Sequence, residues 1–566
     1  MSSLSEQIAA HPFFAVDVSA LPFDERISLS YQRAQLVLRT YNLTADDVLK
    51  MTPKFWEIHL DPIVALDYGL FTIIAAQINL TVGTLSRFLP TRRDLVPLVN
   101  SLLKGETMGL FLLSERGHGL DALNIETTAH QQEDGSYILH TPHEEATKIM
   151  PSSNPTFGMN KIALVMARLI IKGEDRGMRP FIVPLCNTRE PFPGILSIRL
   201  PLRSGASPLD YSMTRFNKVK LPATALLGDS FETPKDARAA WWDTLWRIPI
   251  GSFAVSGPCV SGLKHTAYIG GKYSLRRLVA PHNEKIPIFT FPTQQWSVLH
   301  SVASARVLDA WYRDVAPVFS DPKATHPIKH GLAVMVKATV IRQSMECAHE
   351  MAERCGAQGT FDTNFIARHK ADLDSVIIAE GDVLALCIRL WGELVLGRYT
   401  IPIPSKKESL LAKHAHGLLD EGRQVLRRVP GGHRSETAEY ELLPEAERSV
   451  IALGHACAYS AAQRAGVPQV LLDLYECAAI RGDPTWFSEN VGLTRAEQRA
   501  KEGTALRAAA PDIEKHLEDL NVGYAVRASI VSDAAWLGQV ERMPKYKGNA
   551  QSGIPGVTPG KDGARL

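Results

Sequence analysis

A single glutamate interrupts an apolar stretch, "SVIIAEGDVLALCIRLWGEL" (375–394). Val376, Ile377, Ile378 and Ala379 precede Glu380. Gly381 and Asp382 then lead into a run in which Val383, Leu384, Leu386, Cys387, Leu390, Trp391 and Leu394 recur at helical spacing. A carboxylate in that setting has two uses. With Asp382 it can complement a helix N-terminus, worth about a kcal/mol at most. Alternatively, apolar flanks can desolvate it and raise its pKa, which suits a base that abstracts a proton. Spacing alone favours the helix start.

A second constellation is "FLLSERGHGLDALNIETTA" (111–129), which joins Ser114-Glu115 to Gly117 and Gly119 ahead of a strand-like segment. Glycines there let the backbone approach a flat or phosphorylated ligand, although alone the stretch reads as a plain loop. Other chemistries lack their motifs. "YIGGKYS" lies in a helical pattern rather than after a strand, which disfavours a Rossmann nucleotide site. There is no GxxxxGK[ST], HExxH or GxSxG. His414 and His416, in "KHAHG", have no cysteine or carboxylate cluster nearby, so a solvated helix face is expected and no metal.

The elements that must position these residues fall into three regimes. Apolar residues recur at helical spacing from Ala20 to about Gly105. Short β-rich runs follow from about Met108 to Gly228: "SYILHT" (136–141), "KIALVMARLII" (161–171), "PFIVPL" (180–185), "GILSIRL" (194–200) and "FNKVKLP" (216–222), with "KGEDRGM" (172–178) as a hairpin-like turn. Helical patterns resume after Asp229. The expected class is α+β, mainly helical, with a central β-barrel or sandwich domain. The expected domains are an N-terminal helical domain (1–107), the β domain (108–230), a helical bundle carrying Glu380 (231–400), a further helical region (401–545) and a tail (546–566).

Bulk composition narrows the function classes. The 566 residues predict three or four domains at ~150 residues each. A net charge of +2 gives no electrostatic case for nucleic acid. No apolar run approaches the ~18 residues of a membrane span, and the N-terminus lacks the pattern of a secretory signal. Seven scattered cysteines without C-x-x-C read as reduced intracellular thiols. The terminal Ala564-Arg565-Leu566 is a variant of the S-K-L address and predicts a peroxisomal location, with the cytoplasm as the default otherwise.

Taken in order, these segments resemble the acyl-CoA dehydrogenase/oxidase superfamily, and most of all peroxisomal, fungal-type acyl-CoA oxidases. "SERGHG" is similar to that family's T-E-x-G-H-G segment, "ILHTPHEEATKIMPSS" (138–153) to the strand beside the flavin, and "YSLRR" and "FPTQQW" to cofactor-binding helical segments. "RCGAQG" (354–359) is similar to its C-G-G-H-G, and Glu380-Gly381 stands in the place of its catalytic Glu-Gly. The resemblance covers about residues 55–400, and the helices beyond favour the oxidase branch.

The resemblance implies FAD as cofactor, an acyl-CoA or other acyl thioester as substrate, and Glu380 as the base that takes the α-proton. It implies O2 as electron acceptor, with a dehydrogenase serving a flavoprotein, a tailoring flavoenzyme or a lapsed partner subunit as alternatives. Phe111, Leu112, Leu113, Ser114, Gly119, Met150, Ser152 and Asp382 would line the flavin. Arg277, Gln295, Gly356, Ala357 and Gly359 would hold FAD across a homodimer interface, and Leu120, Arg247 and Gly381 would meet the substrate. Leu120, where the family has Ser, and Met150, where it has Trp, depart from the pattern and point to an unusual acyl group.

Overall fold

The computed structural model describes residues 3–548 except 120, 156, 229 and 230, and except the side chain at 282. The terminal tripeptide 564–566 lies outside the described residues. Helices precede and follow a central β region, as the periodicity predicts.

In the N-terminal part, the helix Phe23–Tyr41 packs on the helix Tyr68–Ile74. Asp67 starts the latter: it accepts the N–H groups of Gly69 and Leu70, while Arg33 (2.9 Å) and Ser30 hold the same buried carboxylate. The helical stretch Tyr68–Ser86 has the length and composition to cross a bilayer, but 89% of its apolar window is buried inside the protein. Its centre, Ala75–Val82, is π-helical rather than the plain helix the spacing predicts. The buried polar residues Gln77 and Thr81 leave this turn for the neighbouring strand. Gln77 donates to the Leu102 and Thr107 carbonyls and accepts from Gly109, and Thr81 donates to Leu110.

Among the described residues, nine strands build the β region: β1 Thr107–Leu112, β2 Thr128–Gln131, β3 Tyr137–His140, β4 Lys148–Met150, β5 Asn160–Ile171, β6 Glu174–Cys186, β7 Ile195–Arg199, β8 Ser212–Phe216 and β9 Val219–Leu221. β5 and β6 form an antiparallel hairpin whose turn residues, Lys172 (φ 50°) and Gly173 (φ 83°), are both left-handed, as a tight two-residue turn requires. β1 and β2 share the other edge of β5. β1 pairs parallel with 160–165 and β2 with 168–170. The "SERGHG" loop therefore leaves the sheet at mid-strand and returns to the same edge. β3 and β9 extend this sheet, and β4, β8 and β7 form a second one. "FNKVKLP" is not one strand: Lys218 turns left-handed (φ 53°), so β8 ends at Phe216 and joins one sheet while β9 joins the other.

The bundle is built on the helices Ser256–Arg276, Pro292–Ser320, His326–Arg354 and Ala446–Arg464, which pack against one another. Further helices continue to Asp533–Arg542. "KHAHG" is not a solvated face. His414 is buried and bonds Asp483 (3.2 Å), and His416 bonds the Pro404 carbonyl (2.9 Å). All seven cysteines are buried free thiols.

Candidate active site

Glu380 lies in the turn between the helices Ile366–Val376 and Val383–Val395. It is left-handed (φ 55°), a conformation that costs a non-glycine residue about 1 kcal/mol or more, and Gly381 follows at φ 96°. The surroundings hold this turn. Lys337 donates to the carbonyls on both sides, those of Ala379 and Gly381. Ser252 donates to the Glu380 carbonyl (2.7 Å). Asp382 caps the following helix by accepting from Ala385 (3.0 Å). The helix-start reading thus belongs to Asp382, and Glu380 is left to face a cavity.

That cavity has a volume of about 620 Å³ and lies between the β region and the helices. The Glu380 carboxylate rests against Gly251: a Cβ there would stand 2.6 Å from Glu380 Oε2 and 2.8 Å from Asn79 Nδ2. Burial pushes the carboxyl up to about 7, with Lys337 as the opposing influence. The Glu380 N–H donates to no group among the described residues. Phe71, Ala75, Leu80 and Val255 give the cavity an apolar lining. A further wall carries Trp241 edge-on to Trp242 (4.6 Å), with Arg389 4.5 Å over the Trp242 ring.

The β wall comprises Phe111, Leu113, Ser114, Gly119, Met150 and Ser152. Two buried ion pairs set it. Glu115 binds Lys148 (2.9 Å) and accepts from the Glu126 and Thr127 N–H groups, while Lys148 also donates to the Leu113 carbonyl (2.9 Å). This pair ties the loop after β1 to the start of β4. Lys161 likewise binds Asp210 (3.0 Å) and the Ser152 carbonyl (2.7 Å), and Tyr31, on the cavity, donates to Asp210. Burial pulls Lys148 down to about 8. Met150 is left-handed (φ 91°) and 43% exposed.

Of the residues singled out in the sequence, nine meet at this cavity: Phe111, Leu113, Ser114, Gly119, Met150, Ser152, Glu380, Gly381 and Asp382. Leu112 does not; strand alternation turns it into the core, where it is fully buried. Arg247 is also not on the cavity. It is buried, donates to the carbonyls of Asn79 (2.8 Å) and Val48 (3.1 Å), and packs over Phe55 and Trp246. With no carboxylate paired to it among the described residues, burial lowers its pKa to about 9. Leu120 lies outside the described residues. Arg277, Gln295, Gly356, Ala357 and Gly359 lie elsewhere, where three bundle helices meet at one end. Gln294 ties those ends together by donating to Ser274 and to the Arg354 carbonyl, and Arg277, Gly356 and Ala357 are exposed there.

Three participants escaped the sequence reading. Lys337 had a signal, a lone cation in the apolar run 331–341. Gly251 had none. Asp372 faces the cavity one helix before Glu380; it accepts from the Ser207 N–H (2.8 Å) and hydroxyl (2.7 Å), and burial raises it to about 7.

Known proteins share this layout. No protein-family model matches the chain. Human peroxisomal acyl-coenzyme A oxidase 3 is 26% identical over 312 residues, which are 50% of this chain and 44% of that protein. The acyl-coenzyme A oxidase acox-1.1 of Caenorhabditis elegans is 24% identical over 358 residues, 59% of this chain and 52% of that one. The chain thus matches about half the length of these curated relatives. Among solved structures, acyl-CoA oxidase 1 of Arabidopsis thaliana superposes with a TM-score of 0.77 at 16% identity, over 95% of this chain and 90% of its own. Acyl-CoA oxidase-1 of Caenorhabditis elegans, solved with FAD and ATP, gives 0.76 at 16% identity, over 96% and 90%. The chain is thus similar in sequence to acyl-CoA oxidases, peroxisomal ones among them, and shares the fold of the solved ones.

Proposed function

We propose that the chain is an FAD-dependent acyl-CoA oxidase that converts an acyl thioester to its trans-2-enoyl form, with O2 as electron acceptor and H2O2 as product. The observation that carries this reading is Glu380: a carboxylate held in a left-handed turn on an apolar cavity, at a pKa of about 7. A base near neutrality is half ionised at working pH and still strong enough to accept a proton.

The residues present fit a flavin. Ser114 and Ser152 bring hydroxyls to the β wall, Gly119 has no atom within 4 Å of where a Cβ would stand, and Met150 lies open beside them. When bound, FAD supplies the two-electron acceptor for the β-hydrogen. The worm oxidase-1 was solved with FAD and ATP, and worm oxidase-2 with FAD, ascaroside-CoA and ATP, which supports the same cofactor and a CoA thioester here. The chain's own groups do the rest. The Glu380 carboxylate takes the α-proton, and its N–H offers a hydrogen bond to the thioester oxygen as negative charge develops there. The apolar lining excludes water. Arg277, Gln295, Gly356, Ala357 and Gly359 would engage FAD of a second copy in a homodimer. The names of the relatives support a peroxisomal location.

The test is spectroscopic. Purified protein should be yellow, bleach anaerobically with one member of an acyl-CoA panel, and recover colour with stoichiometric peroxide when O2 is admitted. A protein that binds no added FAD defeats the proposal. Bleaching without reoxidation by O2 converts it to a dehydrogenase.

A further inference from the structure

Lys337 sits mid-way along the helix His326–Arg354 and is fully buried. An ammonium removed from water needs strong compensation, yet among the described residues no carboxylate lies within ion-pair distance of it. Its partners are two main-chain carbonyls, Ala379 and Gly381. They flank Glu380, whose own carbonyl is bound from the opposite side by Ser252. Three bonds to three consecutive carbonyls therefore fix one strained residue.

The charge is placed as tightly as the donors. Burial pulls Lys337 down to about 8, and Glu380 leads the charges that hold it up, ahead of Cys259, Asp382 and Cys387. Burial holds both thiols in their neutral form at working pH. Reciprocally, Lys337 is the one charge that lowers Glu380. Around Glu380, the helix Ile248–Ala254 offers Gly251, the π-helical segment offers the Asn79 amide, and its own turn offers Asp382. The helix carrying Lys337 thus supplies the cation that faces the base.

We propose that Lys337 is a positioning residue for proton abstraction: it clamps the 379–381 turn so that the Glu380 carboxylate faces the cavity, and it supplies the positive charge against which that carboxylate ionises. This rests on Glu380 acting as the base. Lys337 is not among the residues that line the cavity, so it acts through Glu380.

The test is a pH titration of the Glu380 carboxyl by infrared difference spectroscopy in the full FAD-loaded chain, with Glu380→Gln identifying the band. Lys337→Met should move the titration midpoint upward by about one pH unit or more. It should also cut the bleaching rate about tenfold near pH 7, with recovery near pH 9. Lys337→Arg, which keeps the charge, should restore the midpoint. An unchanged midpoint in a folded Lys337→Met protein overturns the proposal. If Lys337→Met does not fold, Lys337→Gln against Lys337→Arg makes the same comparison. The infrared midpoint reports on Lys337 even if no acyl-CoA bleaches the wild-type flavin, so failure of the functional reading remains distinguishable.

Discussion

Gly251→Ala tests the placement of Glu380 with one carbon atom. Gly251 lies in the helix Ile248–Ala254 without a positive φ, so the backbone accepts alanine and gains up to about 1 kcal/mol of helix propensity. The new methyl would stand 2.6 Å from Glu380 Oε2, whereas ordinary contact begins at 3.4 Å. The carboxylate must therefore withdraw by close to 1 Å. It is the far end of a side chain that opens on a cavity, and Asn79 Nδ2, 2.8 Å from the methyl, is likewise the tip of a side chain, so the shifts are small and the melting temperature should fall by no more than a few degrees. Catalysis should suffer, because a misplacement of about 1 Å costs on the order of 10²-fold in rate. Stopped-flow absorbance of the FAD-loaded variant, mixed anaerobically with an acyl-CoA that bleaches the wild type, reads this loss. A rate within twofold of wild type, in a folded variant with full FAD content, would refute the reasoning.

Other expectations follow from the same contacts. Lys148→Met strands Glu115 in the core and should cost about 3–5 kcal/mol in urea unfolding, whereas exposed Lys235→Met should cost nothing measurable. Arg247→Met leaves the Asn79 and Val48 carbonyls without their donor and should destabilise by about 2–4 kcal/mol; its loss of activity should track that destabilisation rather than appear as a rise in KM. The raised carboxyl of Glu380 contributes stability below its unfolded pKa of about 4.5, which is lost as pH rises through about 7. Glu380→Gln should therefore raise the melting temperature at pH 8 and leave it nearly unchanged at pH 4, as calorimetry can show.

The alternation of helical and β texture was legible because periods of 3.6 and 2 persist over long runs, as in 161–171, which became β5. β4 and β9 are three residues each, too short to carry a period, and the break at Lys218 depends on one left-handed residue. The π-helical segment was hidden because its eight residues keep an apolar pattern compatible with an ordinary helix. At the site, the apolar flanks of Glu380 and the glycines of "SERGHG" stood out as local signals. Gly251 and Asp372 gave none, because their roles arise where segments distant in sequence meet. Arg247 was placed on the substrate by likeness alone, and the packing of the π-helical segment draws it inward instead.

The most direct measurement is anaerobic bleaching of wild type and Glu380→Gln, both loaded with FAD. The account predicts that an acyl-CoA bleaches the wild-type flavin and leaves that of Glu380→Gln oxidised, while both bind FAD equally. Bleaching of Glu380→Gln at the wild-type rate would contradict the role of Glu380 as the base.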